Sequence, residues 1–474
     1  MENNKGKKLG LGLLVPLGIG TMIASGIFNS PTDLVSTTNP MAVLISWIIG
    51  VFGVVMLGLV FYFLTKERSD LQGGIYSYAK AGYGDFIGFN SAWGYFTSSF
   101  IGNIAFVVLI FKTINSLVGE GYAMPPVLAF VLASVLLWGY YFIIIRGVKE
   151  AGKLNLVITI AKVVPLILVI IFGVTVFKSG IFTVDNWQNV LAASGDKTSL
   201  GKQISGAMGT ILWCFVGVEG LVVLSQRAES QAAVGKGTII ALLITAALYV
   251  SISILSMGIV PAKELLEAST PLALVLSKTA LGSAGGIIVK VGILISLLGA
   301  LLCWLLLTTE ILYIPAAQDG LMPKWFKKNN DKNVPVNALF FSMMATQIGI
   351  ISMLSPALQK AYYVATHMCT TNILIPYLLS CMFALKVFSK ESGHIKEKII
   401  SILGCVYSIY VIYAVGMGYL GLAVVIYAFG IGFYLKAKKE KGEGITNNEK
   451  KGITAIIILS IIMIIAAVMG KISV

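Results

Sequence analysis

The sequence predicts an all-α integral membrane protein with about 13 transmembrane helices, from its composition, its long apolar runs and the placement of its basic residues. Of the 474 residues, 57% are hydrophobic and 12% are charged, whereas a soluble globular protein carries about 25% charged residues. A helix needs roughly 20 apolar residues to cross the hydrocarbon core of a bilayer. Thirteen runs are close to or above that length, with approximate limits 9–36, 40–64, 83–118, 124–145, 154–177, 203–225, 236–260, 284–313, 336–354, 360–386, 398–415, 419–435 and 453–470.

The lysines and arginines orient these spans. With the N-terminus inside, that side receives 25 of the 35 basic residues and the opposite side receives seven, while Lys112, Lys162 and Lys290 fall within spans. Such an excess marks the cytoplasmic side. We therefore expect a multi-pass protein of the cell (plasma) membrane with a cytoplasmic N-terminus and, because the number of spans is odd, an extracellular C-terminus. The net charge of +14 then reflects topology, and no nucleic-acid partner is expected.

The first and the sixth span are each interrupted near the middle. Residues 20–28 read Gly-Thr-Met-Ile-Ala-Ser-Gly-Ile-Phe, and residues 213–220 read Trp-Cys-Phe-Val-Gly-Val-Glu-Gly. Backbone groups cannot stay unpaired in lipid, so a break there must line a cavity or bind something. Interruptions at corresponding places in two halves are typical of inverted-repeat transporters. The expected organisation is a single transmembrane domain over 1–474, with repeats at about 9–177 and 203–386 and peripheral helices at about 398–470.

The two breaks offer binding groups for both ends of a zwitterionic amino acid. Free N–H groups at the start of the resumed half-helix attract a carboxylate, and the small residues Ser25 and Gly26 allow it to approach the backbone. Free carbonyl oxygens at the end of the first half-helix attract an ammonium group, which favours the backbone near Met22 and Val216. The alternative is that the small residues only allow close helix packing. Two breaks at matching places favour binding.

Five side chains within the spans have both a functional and a structural interpretation. Trp213 presents an indole face, which attracts a guanidinium or ammonium group by about 0.5–2 kcal/mol, or it belongs to an interfacial belt. Glu219 is a carboxylate within a span, where such groups are costly and usually functional, or it is a structural acid. Glu310 is a gating acid or an interface acid, and Lys162 is a coupling residue or a lysine that reaches the membrane surface. His367 titrates near neutral pH or is structural.

Other classes of function lack their signatures. The sequence has no Walker A motif, no metal-ligand spacing and no nucleophile–base constellation, so no enzymatic activity, metal or cofactor is expected. A channel needs a filter of repeated carbonyls or charge rings, and none is visible. The N-terminus is not expected to be a signal peptide, since the small residues that would form a cleavage site are those of the break at Ser25 and Gly26, and a dozen further spans follow. The cysteines lie in apolar segments without paired spacing and are interpreted as core residues: Cys214, Cys303, Cys369, Cys381 and Cys405.

Several motifs resemble those of the amino acid–polyamine–organocation (APC) superfamily, and within it the basic amino acid/polyamine antiporters. The resemblance covers nearly the whole chain and implies a LeuT-like (APC) fold, which is a 5+5 inverted repeat with helices 1 and 6 broken. Residues 146–151, residues 298–301 with Glu310, and the thirteenth helix look most like those of the arginine/ornithine antiporters, whereas 100–105 and 213–219 look like helices 3 and 6 of the arginine/agmatine antiporters. The matching stretches are 20–28, 73–78 (Gly-Gly-Ile-Tyr-Ser-Tyr), 100–105 (Phe-Ile-Gly-Asn-Ile-Ala), 146–151 (Arg-Gly-Val-Lys-Glu-Ala), 213–219 and 298–301 (Leu-Gly-Ala-Leu).

The resemblance also implies roles for individual residues. Asn103 would hydrogen-bond the substrate, and Trp213 and Trp304 would pack on its cationic side chain. Phe100 stands where the subgroup usually has Trp, and residues 366–372 are unusually polar; both departures bear on selectivity. The expected substrate-binding residues are Met22, Ser25, Gly26, Ser99, Asn103, Phe106, Trp213, Val216, Trp304 and Cys369. The residues expected to serve gating or coupling are Tyr95, Lys162, Glu219, Glu310 and Tyr377, of which Tyr95, Glu219 and Tyr377 would form an inner gate.

The function implied by the resemblance is the exchange of a cationic amino acid for its metabolic product by alternating access. Arginine and ornithine are the first pair, and lysine/cadaverine, histidine/histamine and agmatine/putrescine remain open. A sodium-coupled relative coordinates Na⁺ near the position of Lys162, with oxygens of the first and eighth spans. The resemblance implies that the tethered ammonium of Lys162 bonds to backbone oxygens of those two spans instead, which argues against a sodium symporter, the nearest rival. The expected partners are a small-molecule substrate and its counter-substrate in a lipid bilayer, and a homodimer is one compatible assembly.

Overall fold

The computed structural model describes residues 9–71, 74–119, 122–147, 151–182, 189–223, 228–355, 357–390 and 393–469, with the backbone alone for 151–157. Two parts of the motifs above, Gly73 and residues 148–150, lie outside the described residues. The described chain forms α-helices numbered here in chain order: α1 Leu11–Met22, α2 Gly26–Val35, α3 Pro40–Glu67, α4 Ile75–Tyr83, α5 Asp85–Val118, α6 Pro126–Ile145, α7 Ala151–Val176, α8 Leu200–Phe215, α9 Gly220–Val223, α10 Gln231–Ile259, α11 Ala262–Glu267, α12 Pro271–Ser277, α13 Gly282–Ile314, α14 Val336–Gly349, α15 Leu358–Phe388, α16 Ile395–Val415, α17 Met417–Lys441 and α18 Asn447–Val468.

The predicted set of membrane spans is confirmed. Within the described residues, 12 helical stretches are long and apolar enough to cross a membrane, and the pair α1–α2, bent by 41° at its break, brings the number to 13. Observed and predicted spans differ only at their ends. The larger differences are polar extensions, since α17 continues to Lys441 and α18 begins at Asn447. A helix can continue past the bilayer surface because its hydrogen bonds are internal.

Polar residues outside the apolar runs set where several helices begin. The side chain of Asn39 accepts a hydrogen bond from Ala42 N (2.9 Å), with Pro40 at the first helical position of α3. Thr446 and Glu449 form a reciprocal capping box at the start of α18. Such caps pair N–H groups that have no partner within the helix. These helices therefore start at residues fixed by local hydrogen bonding.

Three short helices lie between spans, in segments that the sequence predicted as connections. Helix α4 lies on the side of the N-terminus and packs against α5 and α15. Helices α11 and α12 lie on the opposite side, where Thr32 of α2 donates a hydrogen bond to the carbonyl oxygen of Leu265 (2.7 Å). They are too short to cross a bilayer, so length alone does not reveal them. Their packing covers the two ends of the helix bundle.

The broken helices lie at the centre of the bundle and the last helix lies at its edge. In the stretch Leu200–Val223, 89% of the most apolar window is buried, against 6% in α18. Helix α5 packs on α13 and α15, while α10 packs on α1 and α3. This arrangement encloses both breaks in protein, as the absence of lipid-exposed irregular backbone requires. The predicted repeat boundaries stay a prediction, whereas the peripheral position of α18 agrees with its exposure.

Small residues allow close helix contacts, and one such contact yields a matched test. A Cβ on Gly53 of α3 would lie 2.0 Å from the ring of Tyr407 on α16, whereas a Cβ on Gly139 of α6 would have nothing within 4 Å. We expect Gly53→Ala to cost about 1–3 kcal/mol of stability relative to Gly139→Ala, because the ring must move. Both changes give the helix the same gain in propensity.

The measurement is the melting temperature of the purified protein in detergent. The melting temperature of Gly53→Ala should be a few degrees below that of wild type. The melting temperature of Gly139→Ala should equal or exceed that of wild type. Equal melting temperatures for the two variants would show that α3 and α16 are not packed as closely as described.

Candidate functional site

Both predicted breaks are present, and they contact each other. Helix α1 ends at Met22 and α2 begins at Gly26, with Ile23 extended between them (φ −75°, ψ 94°). Helix α8 ends before Val216, which is also extended, and Gly217 follows with φ +107°. A Cβ on Gly217 would lie 2.5 Å from the carbonyl oxygen of Thr21. Glycine is therefore required there both by its backbone conformation and by the close approach of the two breaks.

Side chains pair part of the backbone that the breaks release. The hydroxyl of Thr21 donates to the carbonyl oxygen of Gly217 (3.0 Å), which ties the first break to the second. Tyr249 of α10 donates to the carbonyl oxygen of Met22 (3.0 Å). The first turn of α2 is different, because no side-chain cap is described at Ser25. The first N–H groups of a helix have no partner within it, so the start of α2 is available to a ligand.

A small cavity lies between the two breaks. Eight of the ten predicted substrate-binding residues line it, and Ser25 and Asn103 do not. Ala24, Ser98 and Gly102 line it without having been predicted. The full lining is Met22, Ala24 and Gly26 from the first break, Trp213 and Val216 from the second, Ser98, Ser99, Gly102 and Phe106 from α5, Trp304 from α13 and Cys369 from α15.

The two predicted residues outside the lining are both buried. The amide nitrogen of Asn103 donates to the hydroxyl of Thr308 on α13 (3.3 Å), so its side chain turns from the cavity toward a neighbouring helix. Ser25 lies beside the hydroxyl of Tyr362 on α15. The proposed substrate-binding roles of both residues stay predictions.

Aromatic rings form part of the cavity lining. The ring of Trp213 lies 6.0 Å from that of Phe106, centroid to centroid, at an interplanar angle of 41°. Its indole nitrogen donates to the hydroxyl of Tyr362 (3.2 Å). Trp213 is 5% exposed, which contradicts the alternative of an interfacial belt. Tyr362 was missed in the sequence because a tyrosine in an apolar run carries no signal of its own.

The three residues predicted for an inner gate come together. The hydroxyl of Tyr377 on α15 donates to the carboxylate of Glu219, and Gly217 N donates to the same oxygen (3.1 Å). Tyr95 of α5 lies next to this carboxylate. Glu219 is fully buried, and its two hydrogen bonds join the second break to α15. Glu310, half-buried on α13, is not part of the described lining, and its role stays a prediction.

Lys162 is a second buried charge at the first break. Its ammonium group donates to the carbonyl oxygens of Gly20 (2.7 Å) and Ile23 (2.8 Å), and its side chain is 1% exposed. The sequence predicted oxygens of the first and eighth spans; both bonds described here go to the first. The alternative, a lysine reaching the membrane surface, is therefore wrong. The ammonium lies where α1 ends and pairs two of the carbonyls there.

His367 has a structural environment. Its ring lies 3.9 Å from that of Tyr363, centroid to centroid, and its Nδ1 lies 2.9 Å from the Tyr363 carbonyl oxygen. It is not among the residues that line the described cavity. The structural interpretation of this histidine is therefore favoured over gating by protonation.

The geometry is that of a small-molecule carrier, and comparison with known proteins identifies the family. The family described as "Amino acid permease" matches residues 13–439. The chain belongs to the amino acid permease family. The permease is 37% identical to the "Arginine/ornithine antiporter" of Pseudomonas aeruginosa over 97% of each chain. It is 35% identical to the "Arginine/ornithine antiporter" of Latilactobacillus sakei over 99% of each, and 33% identical to the "Putative arginine/ornithine antiporter" of Escherichia coli over 91% of this chain and 93% of that one.

These matches confirm the resemblance drawn from the motifs. The permease is a multi-pass membrane protein of the APC superfamily, its fold is the LeuT-like fold that the superfamily implies, and its relatives are transporters. The cavity between the breaks is the candidate substrate site. Within the described residues, no group of His, Cys, Asp and Glu suited to hold a metal ion is found.

The bonds of Lys162 generate a test of its role. We expect Lys162→Ala to reduce amino acid transport by the permease by about tenfold or more, because each of two buried carbonyls left unpaired costs about 1–3 kcal/mol. Lys162→Met preserves most of the packing and removes only the ammonium, so it should reduce transport to a similar extent. Transport is measured in cells at equal amounts of protein in the membrane.

The exposed Lys436 provides the control, since Lys436→Ala should transport as wild type does. Normal transport by Lys162→Met would show that the side chain serves packing alone and that the two hydrogen bonds do not maintain the break.

Proposed function

We propose that the permease exchanges a cationic amino acid for its metabolic product by alternating access, independently of Na⁺, with arginine and ornithine as the pair. The observation that carries the proposal is the cavity between the two breaks, where free helix-end groups and two indole rings come together. The printed names of the relatives support the same pair. The protein is proposed to lie in the cell membrane with a cytoplasmic N-terminus and an extracellular C-terminus.

The backbone of the breaks binds the α-carboxylate and α-ammonium groups of the substrate. The carboxylate approaches the uncapped start of α2 at Gly26, where the free N–H groups and the helix dipole both favour a negative charge. The ammonium approaches the carbonyl oxygens near Met22 and Val216. Met22 already accepts one hydrogen bond from Tyr249, and its oxygen has a second lone pair for the ligand. The selectivity of the site for α-amino acids thus comes from backbone N–H and carbonyl groups.

Aromatic faces recognise the cationic end of the substrate. Trp213, Phe106 and Trp304 line the cavity, and no residue of the described lining carries a full charge. A cation over a desolvated indole gains up to about 2 kcal/mol. Such a face accepts a planar guanidinium or an ammonium without demanding the geometry of either, which suits a carrier that takes arginine in one direction and ornithine in the other. Both substrates carry a net charge of about +1 near neutral pH, so one-for-one exchange moves no net charge.

The inner gate couples this site to movement. Glu219 bonds to the second break through Gly217 and to α15 through Tyr377. A change in the shape of the break on binding therefore changes the position of the carboxylate that holds α15. Deeper on the same side, Lys80 and Tyr76 of α4 both bond to Asp319 after α13, and these contacts must also part before substrate can leave toward the cytoplasm.

Lys162 supports independence from Na⁺. Its ammonium occupies the carbonyl oxygens at the end of α1, which a coupling cation would otherwise use. The covalent tether keeps that amine at the break, so no ion has to be taken up from solution to shape it. The driving force is then the opposing gradients of the two amino acids. A homodimer stays compatible with the exposed outer helices.

Exchange is tested with purified permease in liposomes. External labelled arginine should enter liposomes loaded with ornithine much faster than empty liposomes, and at the same rate when choline replaces Na⁺. Loading with cadaverine, histamine or putrescine, paired with external lysine, histidine or agmatine, tests the other exchange pairs. Arginine uptake that needs Na⁺, or that is as fast into empty liposomes, would overturn the proposal.

The contacts of Trp213 generate a prediction about affinity. Trp213→Leu should weaken arginine binding about tenfold, because loss of a desolvated cation–π contact costs ~1–2 kcal/mol. A neutral analogue of the same length, such as citrulline, should lose much less. Affinities are measured by calorimetry on the purified variant, with Trp325→Leu as a control, since Trp325 is exposed and far from the cavity. Equal losses for both ligands would indicate that Trp213 packs on the substrate without recognising its charge.

A further inference from the structure

A cluster of buried polar residues lies beyond the cavity, on the side of the membrane opposite the N-terminus. Asn29, Asp33 and Lys112 are 0%, 4% and 7% exposed, and Gln359 is half-buried. Asp33 and Gly26 are seven residues apart on α2, which places Asp33 about 10 Å further along the helix than the cavity wall. None of the four belongs to the substrate site or to the inner gate. Charges within spans are costly and usually functional.

The four side chains form a closed ring of hydrogen bonds. The ammonium of Lys112 donates to Asn29 Oδ1 (2.8 Å) and to the side-chain oxygen of Gln359. The amide nitrogens of Asn29 and Gln359 both donate to Asp33 Oδ1, at 2.8 and 3.2 Å. Each amide therefore connects the cation to the carboxylate, and both charges are compensated through the amides.

The ring joins the three helices that must separate to open this side. Asn29 and Asp33 lie on α2, Lys112 lies on α5 and Gln359 lies on α15. Helices α5 and α15 also line the cavity, and α2 starts at the break. Gln359 is one turn from Tyr362, whose hydroxyl holds the indole of Trp213 over the cavity. Movement of α15 away from the ring would therefore also change the position of an indole that lines the cavity.

The chemistry of the ring suits a contact that forms and breaks repeatedly. A buried ion pair contributes little net stability, because the desolvation of its charges offsets most of their attraction. When the helices part, water solvates both charges and replaces the lost hydrogen bonds. Removal of one charge has a different effect, since it leaves the other uncompensated in the closed state. The closed ring is then disfavoured relative to a hydrated, open one.

We propose that the ring of Asn29, Asp33, Lys112 and Gln359 is the lock of the gate on the extracellular side. It keeps that side closed in the described conformation and opens to admit substrate to the cavity. The proposal rests on the alternating access proposed above. Lys162 differs from Lys112 in kind: its acceptors are backbone carbonyls that shape the first break, whereas the partners of Lys112 are side chains on two other helices.

A native cysteine reports on this gate without any assumption about the substrate. Cys369 lines the cavity and is 1% exposed. A membrane-impermeant methanethiosulfonate added outside intact cells labels its thiol only when the extracellular side is open. The label is quantified by mass spectrometry, and Cys369→Ser identifies the part of the signal that comes from this residue.

We expect Asp33→Asn and Lys112→Met each to raise the labelling rate of Cys369 about tenfold or more over wild type. The double variant, which removes both charges together, should label more slowly than either single variant. Gln359→Ala retains both charges and removes one amide bridge, so a smaller rise of about threefold is expected. Lys290→Met is the matched control, because Lys290 is also a lysine within a span and bonds to the carbonyl oxygen of Ser116. In this variant Cys369 should be labelled at the wild-type rate.

Two results would overturn the lock. One is wild-type labelling in Asp33→Asn and Gln359→Ala proteins that reach the membrane in normal amounts. The other is an equal rise in Lys290→Met, which would indicate general loosening. If a charge variant does not accumulate, Gln359→Ala alone decides, since it leaves no lone buried charge. Labelling of Cys369 tests the lock, and transport in liposomes tests arginine/ornithine exchange. Either proposal can therefore be contradicted while the other one holds.

Discussion

The structure depends on how the protein satisfies the backbone groups that two helix breaks release inside a membrane. Lipid offers no hydrogen bonds, so every released carbonyl or N–H group needs a partner in the protein or in a ligand. Lys162 pairs two carbonyls of the first break, Tyr249 pairs a third, and Thr21 reaches across to the second break. The uncapped start of α2 is left to face the cavity. The proposed binding site consists of the part of the breaks that the fold does not pair.

This constraint also explains why small residues stand at the breaks. A Cβ on Gly26 would lie 2.8 Å from the Cα of Cys214, and one on Gly217 would lie 2.5 Å from the Thr21 carbonyl oxygen. The two broken helices can share a cavity only if their backbones approach this closely. Larger residues would separate the breaks and expose their polar groups. Close packing and binding, which the sequence left as alternatives, are therefore two aspects of one arrangement.

The contacts proposed as gates on the two sides of the cavity are polar. Toward the N-terminal side, Glu219 with Tyr377 and, beyond them, Asp319 with Lys80 join helices that line or support the cavity. Toward the other side, the ring around Lys112 joins α2, α5 and α15. Polar contacts suit gates because water can replace them as the helices part. An apolar seam would oppose opening to water in proportion to its area. Alternate opening of the two sides is the motion that exchange requires.

The sequence by itself determined the number of spans, the position of both breaks and the family, because apolar length, helix-breaking glycines and short motifs are local properties. It also placed Trp213 and Gly26 in the site, since the breaks themselves line the cavity. Only the tertiary structure decided that Asn103 turns to Thr308 and that Ser98 faces the cavity.

The tertiary structure also decided the partners of the buried charges. Lys112 was visible as a charge within a span, but its partner Gln359 is 247 positions away, and the acceptors of Lys162 had been expected on two spans instead of one. The physical reason is that helices such as α3 and α5 are apolar around much of their circumference, so no amphipathic stripe indicates which face meets which neighbour. The rotation of each helix, and with it every contact between distant residues, is set by packing in the folded bundle.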